Sequence, residues 1–64
     1  MSTVENLQRK FNKSLLSKKE VAIELSISQA TLDRIRKAGL IRSKKVSGGV
    51  FFTLNEVAAY IDEV

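Results

Sequence analysis

The stretch "SISQATLDRIRKAG", Ser26 to Gly39, decides the fold. Ser28 is a preferred helix N-cap type. Leu32 and Ile35 follow at helical spacing, with Ala38 as a further apolar position. Gly39 stands where a left-handed C′ residue ends a helix, and Arg36 and Lys37 suit the negative end of the helix dipole. The spacing therefore predicts a short helix with an outer face of Gln29, Thr31, Asp33, Arg34 and Lys37.

Just upstream, Ser17 is followed three residues later by Glu20, the signature of a capping box. Val21, Ala22 and Leu25 form the apolar side of that helix, which ends near Ser26. Two short helices joined by a tight turn at Ser26 and Ile27 make a helix-turn-helix. Ala22 is the small residue where the helices cross.

Downstream, Leu40 and Ile41 read as extended. The basic loop "RSKKVSGG" (Arg42 to Gly49) follows, then the β-prone "VFF" of Val50 to Phe52. These predict a hairpin, with Gly48 and Gly49 supplying positive φ in its turn. Neighbouring strand residues face opposite ways, so Phe51 and Phe52 point apart. Core is the favoured reading for both, with Phe51 either covering Leu7 or Phe11 or staying exposed for a partner. Thr53 and Glu56 suggest a second capping box, opening a helix from about Leu54 to Glu63 with Val57, Tyr60 and Ile61 on one face. At the N-terminus, Val4, Leu7 and Phe11 mark a weak amphipathic helix over residues 3 to 13, capped by Thr3, or a loose tail docked by Phe11. The expected division is residues 1–14 as an N-terminal helix or flexible segment and 15–64 as the folded domain. The fold class is mainly α with a small β-hairpin, in the order of a winged helix-turn-helix.

Sixty-four residues bound what such a chain can do. A domain of this size buries only about 60% of its unfolded surface. That leaves no space for a deep cleft. With no His and no Cys, a catalytic triad, a thiolate metal site and a disulfide are not expected. No glycine-rich phosphate loop follows a strand, so no enzyme, cofactor, metal or small-molecule ligand is expected. No apolar run approaches the ~20 residues of a membrane span. The net charge of +4 is unevenly distributed. Arg9 to Lys19 holds five cations and no acid; Arg34 to Lys45 holds six and no acid; Val50 to Val64 holds three acids and no base. A one-sided basic surface on a small domain is the footprint of a polyanion binder; the alternative is that the lysines serve only to keep a small protein soluble.

From Leu16 onward the chain resembles the excisionase-type, MerR-like winged-helix family, which includes AlpA-type phage regulators. The resemblance rests on Leu16-Ser17, Glu20-Val21-Ala22, Leu25, Ile27-Ser28, Thr31-Leu32, Arg34 and Gly39, then on Phe52, Glu56, Val57, Tyr60 and Ile61. It departs from the family's habit at Ser26, where glycine is usual, and at Asp33, Arg36, Arg42 and Phe51. The resemblance implies a phage, prophage or bacterial transcriptional regulator, or an excisionase-like recombination directionality factor that bends DNA. It places the protein in the bacterial cytoplasm, at the nucleoid. A protein-interaction module is the rival outside DNA binding.

A recognition helix enters the major groove with its N-terminal turns nearest the bases. Ser28, Gln29, Ala30, Thr31, Asp33 and Arg34 are therefore the expected base-reading residues. Gln29 suits adenine, Ala30 a thymine methyl, and Arg34 guanine or a phosphate. Asp33 either accepts from cytosine or, the favoured reading, pairs with Lys37 along the helix. Ser17, Lys18 and Lys19 at the first helix, Lys37, and the wing residues Arg42, Lys44, Lys45, Ser47 and Gly48 are the expected backbone contacts. The expected partner is double-stranded DNA, bound by a homodimer or a cooperative array.

Overall fold

Leu16 and Phe52 face each other across two antiparallel strands, and both are fully buried. This pair sits at the centre of the structure, a computed structural model that describes residues 2–63. In chain order the elements are α1 (Thr3–Phe11), β1 (Leu15–Ser17), α2 (Lys18–Leu25), α3 (Gln29–Lys37), β2 (Lys44–Val46), β3 (Gly49–Thr53) and α4 (Leu54–Glu63). The described residues thus form a small, mainly helical domain of four helices with a three-stranded antiparallel sheet, ordered β1-β3-β2.

The core gathers one or more side chains from most of these elements. Leu7 comes from α1, Leu16 from β1, Val21 and Ala22 from α2, Leu32 from α3, Phe52 from β3, and Leu54, Val57 and Ala58 from α4. Ile41 joins them from the segment between α3 and β2. Leu25, Ile27, Ile35, Tyr60 and Ile61 pack around this centre, half-buried. Ala38 stays exposed.

Helix α2 begins with the full capping box. The Ser17 hydroxyl accepts from the Glu20 N–H at 3.2 Å, and the Glu20 carboxylate accepts from the Ser17 N–H at 2.9 Å. The helix ends at Ser26, which adopts the left-handed conformation (φ 58°, ψ 41°) in the position where glycine is more common. The Ile27 N–H reaches back to the Ala22 carbonyl at 2.9 Å and closes the turn. Ser28 then caps α3, accepting from the Thr31 N–H at 3.1 Å.

The expected strand at Leu40 and Ile41 does not form. Gly39 takes φ 80°, as the left-handed stop requires. The Gly39 and Leu40 N–H groups donate to the carbonyls of Arg36 (3.1 Å) and Ile35 (3.2 Å). This is the double closure of a Schellman motif. Leu40's N–H is thereby engaged in ending the helix, and Ile41 turns inward to the core.

The hairpin instead pairs β2 with β3, Lys44 opposite Phe51, Lys45 opposite Val50 and Val46 opposite Gly49. Its two-residue loop is Ser47 (φ 51°) and Gly48 (φ 82°), the two positive angles of a type I′ turn. Gly49 does not take the positive φ expected of it. A Cβ there would stand 2.9 Å from the Phe51 ring, so its lack of a side chain gives that ring room. Phe51 is half-buried and is not among the side chains packed on the core, contrary to expectation; its strand neighbour Phe52 fills that role. Alternation along β3 puts Phe51 on the opposite sheet face, with Lys44 across from it.

The third strand, β1, was not expected from sequence. Three residues are too few to show a period, and its partner β3 lies far along the chain. The N-terminal segment is helical over Thr3–Phe11, capped by Ser2 and not by Thr3. Thr3 donates its hydroxyl to Asp62 on α4 at 2.6 Å, and α1 packs along α4. The second capping box is only half formed. Glu56 N–H donates to Thr53 Oγ1 at 3.2 Å, while the Glu56 carboxylate accepts from the Arg42 N–H at 3.3 Å.

Candidate nucleic-acid interface

The buried side of α3 is set by Leu32, fully enclosed, with Ile35 half-buried beside it. Ala30, Arg34 and Lys37 therefore share an outward stripe at i, i+4 and i+7, and all three are exposed, as is Gln29. Ser28 is exposed too, but its hydroxyl is engaged. It accepts from the Thr31 N–H and donates to Thr31 Oγ1 at 3.0 Å. The Arg34 guanidinium in turn donates to Thr31 Oγ1 at 3.4 Å. Of the expected base-reading set, Gln29, Ala30 and Arg34 present free side-chain surface. Ser28 and Thr31 form the capping network beneath Arg34.

Asp33 departs from the favoured expectation of an ion pair along the helix. It does not pair with Lys37. Lys18 at the start of α2 places its Nζ 3.2 Å from both Asp33 carboxylate oxygens. Arg36, one turn on, donates to Asp33 Oδ1 at 3.2 Å. Hydrogen bonds first from Lys18 and then from Arg36 hold the Asp33 carboxyl below its ordinary pKa. The expected base reader Asp33 and the expected backbone contact Lys18 are thus joined to each other across the two helices.

The remaining contacts expected at α2 divide similarly. Ser17 is engaged in its capping box. Glu20 accepts from Lys13 at 2.6 Å; that bond, followed by the Ser17 N–H, lowers its pKa. Lys19 is exposed and has no acid within ion-pair distance among the described residues.

On the hairpin, Arg42, Lys44, Lys45, Ser47 and Gly48 are all exposed. Lys44 and Lys45 project from opposite faces of β2 because strand side chains alternate. Lys44 shares its face with Phe51; Lys45 lies across from Val50. Arg42 engages Glu56 through its backbone N–H, and its guanidinium has no acid partner among the described residues.

The ion pairs sort the cations into two groups. Lys10 pairs with Glu24 at 2.7 Å, Lys13 with Glu20, Lys18 and Arg36 with Asp33. Among the described residues seven cations pair with no acid: Arg9 on α1, Lys19 on α2, and the five Arg34, Lys37, Arg42, Lys44 and Lys45. These five occupy the outer face of α3 and the hairpin with its approach. Comparison with family models, with curated proteins and with solved structures finds no match.

Proposed function

We propose that this chain is a small sequence-specific double-stranded DNA-binding protein built as a winged helix-turn-helix. In this reading α2 and α3 are the helix-turn-helix and the β2-β3 hairpin is the wing. The observation that carries it is the set of five unpaired cations on α3 and the hairpin. Charged side chains with acids available in the same small domain, yet left without them, are suited to an external polyanion.

Helix α3 enters the major groove, which is wide enough for one helix. Gln29, Ala30 and Arg34 meet base edges there, while Lys37 lies toward the phosphates. Lys44, Lys45 and Arg42 follow the backbone from the wing, with Ser47 and Gly48 at its tip. Lys19 adds charge at the first turn of α2. The resemblance to excisionase-type and AlpA-type proteins supports a phage or bacterial regulator, acting by occupying or bending its site.

Binding to random-sequence duplex, followed by fluorescence anisotropy across a salt series, tests this. A DNA binder shows sequence-independent affinity at low salt that falls steeply as salt rises. Selection from a random pool then yields a preferred motif. Absence of any binding at about 50 mM salt, where phosphate contacts are strong, refutes the reading.

A further inference from the structure

Lys18 is the one cation at the mouth of the α2-α3 pair that an acid from the other helix holds. Its neighbour Lys19 is exposed and unpaired among the described residues. Asp33 is fixed from two sides. Lys18 reaches both of its oxygens, and Arg36 grips Oδ1 from within α3. Arg36 is only 26% exposed, and its Nε is enclosed with no hydrogen-bond partner. It is therefore a poor candidate to leave for solvent or a phosphate, and a good one to hold the carboxylate in place. Lys18, 30% exposed on a flexible stem, is the member of the cluster with somewhere else to go.

Resting on the DNA-binding reading above, we propose that Asp33 is a positioning residue that withholds Lys18 from the phosphate backbone, and so limits sequence-independent affinity. An acid on the groove-facing helix would ordinarily repel phosphate. Here its charge is balanced by two cations of its own chain. One of them, Lys18, would otherwise stand where the N-terminus of α2 approaches the backbone. The cluster also ties α2 to α3, so the same contact that removes a phosphate ligand braces the angle at which α3 is presented.

The test is the salt dependence of binding to random-sequence duplex DNA by the full chain and its variants. Each phosphate contact adds about 0.9 to the slope of log K against log salt. Asp33→Asn keeps the side-chain shape and releases Lys18. It is expected to steepen the slope by about 0.9 and tighten binding about eightfold at 0.1 M salt. Lys18→Gln alone is expected to leave the slope unchanged. Lys18→Gln added to Asp33→Asn restores the wild-type slope. Glu63→Gln, an exposed acid outside the ion pairs, controls for net charge and leaves the slope unchanged. A purely structural role for Asp33 would change melting temperature without moving the slope, and that result overturns the proposal. Lys18→Gln flattening the slope by about 0.9 also overturns it, because Lys18 would then already lie on phosphate. This second variant decides the matter if Asp33→Asn fails to fold. Both results leave the DNA-binding reading standing. A wild-type chain that binds no duplex at low salt defeats that reading itself, and this inference with it.

Discussion

The two basic runs look alike in sequence and differ in the fold. Arg9 to Lys19 and Arg34 to Lys45 are both free of acids along the chain. In three dimensions three of the five cations in the first run meet acids from elsewhere, Glu24 against Lys10, Glu20 against Lys13 and Asp33 against Lys18, while Arg9 and Lys19 pair with none among the described residues. The second run keeps all but Arg36 unpaired among the described residues. Charge counted along a chain is therefore a poor measure of charge presented by a surface. Helices α2 and α3 carry the three acids that form these pairs, and their packing decides which cations those acids reach. Surface pairs of this kind contribute little to stability. Their larger consequence is for the field that an approaching polyanion meets.

Leu32→Ala breaks the comparison most completely. Leu32 is fully buried on α3, and its truncation costs about 2–5 kcal/mol. A core of this size nets about 3–5 kcal/mol, so the variant is expected to be largely unfolded at 25 °C by circular dichroism. The second run then loses its arrangement, and duplex binding falls to that of a disordered basic chain. A cooperative melt near the wild-type temperature would place the stabilising contacts elsewhere.

Within the folded protein, the runs are separated by paired substitutions. Lys44→Ala with Lys45→Ala is expected to flatten the salt slope by about two units. Lys10→Ala with Lys13→Ala removes the same formal charge and is expected to change it by less than about half a unit, since those cations already have acid partners. Equal effects from both pairs would erase the distinction between the runs.

Arg34→Ala sharpens the role of the second run. A base contact predicts a loss of about 1–3 kcal/mol on the preferred sequence and relaxed choice at one position. A uniform loss across sequences would make Arg34 a phosphate contact instead.

The smallest expected effect is on acid stability, and it belongs to the first run and its partners. Glu20 has a lowered pKa in the fold, chiefly through Lys13. Asp33 has one chiefly through Lys18. A depressed carboxyl contributes stability that is complete above its unfolded-state pKa and is lost as pH falls through the folded value. Thermal melts are therefore expected to be level above about pH 5 and to decline below it, with Glu20→Gln shallower in that decline. An unchanged acid limb in Glu20→Gln would remove the Lys13 pair from the account.

Much of the local structure was legible in the chain. Ser17 with Glu20, Ser28 before Leu32, and Gly39 after Lys37 are signals that act over a few residues, and each marks the helix end it was read to mark. Leu40 and Ile41 misled because apolar β-prone residues beside a glycine resemble a strand, while the Schellman closure takes the Leu40 N–H. The hairpin was legible as a turn at Gly48 but not in register, since register depends on which side chains find the core. At the candidate interface, Gln29, Ala30, Arg34 and Lys37 could be placed outward from the burial of Leu32 alone.

By itself, then, the sequence determined the ends of α2 and α3, the buried stripe of α3 and the uneven charge. These arise from capping groups and side-chain periodicity acting between near neighbours. Only the tertiary structure decided that Leu15–Ser17 adds a strand to β3, that Phe51 lies outside the core, and that Asp33 holds Lys18. Each of those joins residues brought together by packing from different elements. A 3 Å contact between two helices depends on how both are seated, and no local pattern encodes that distance.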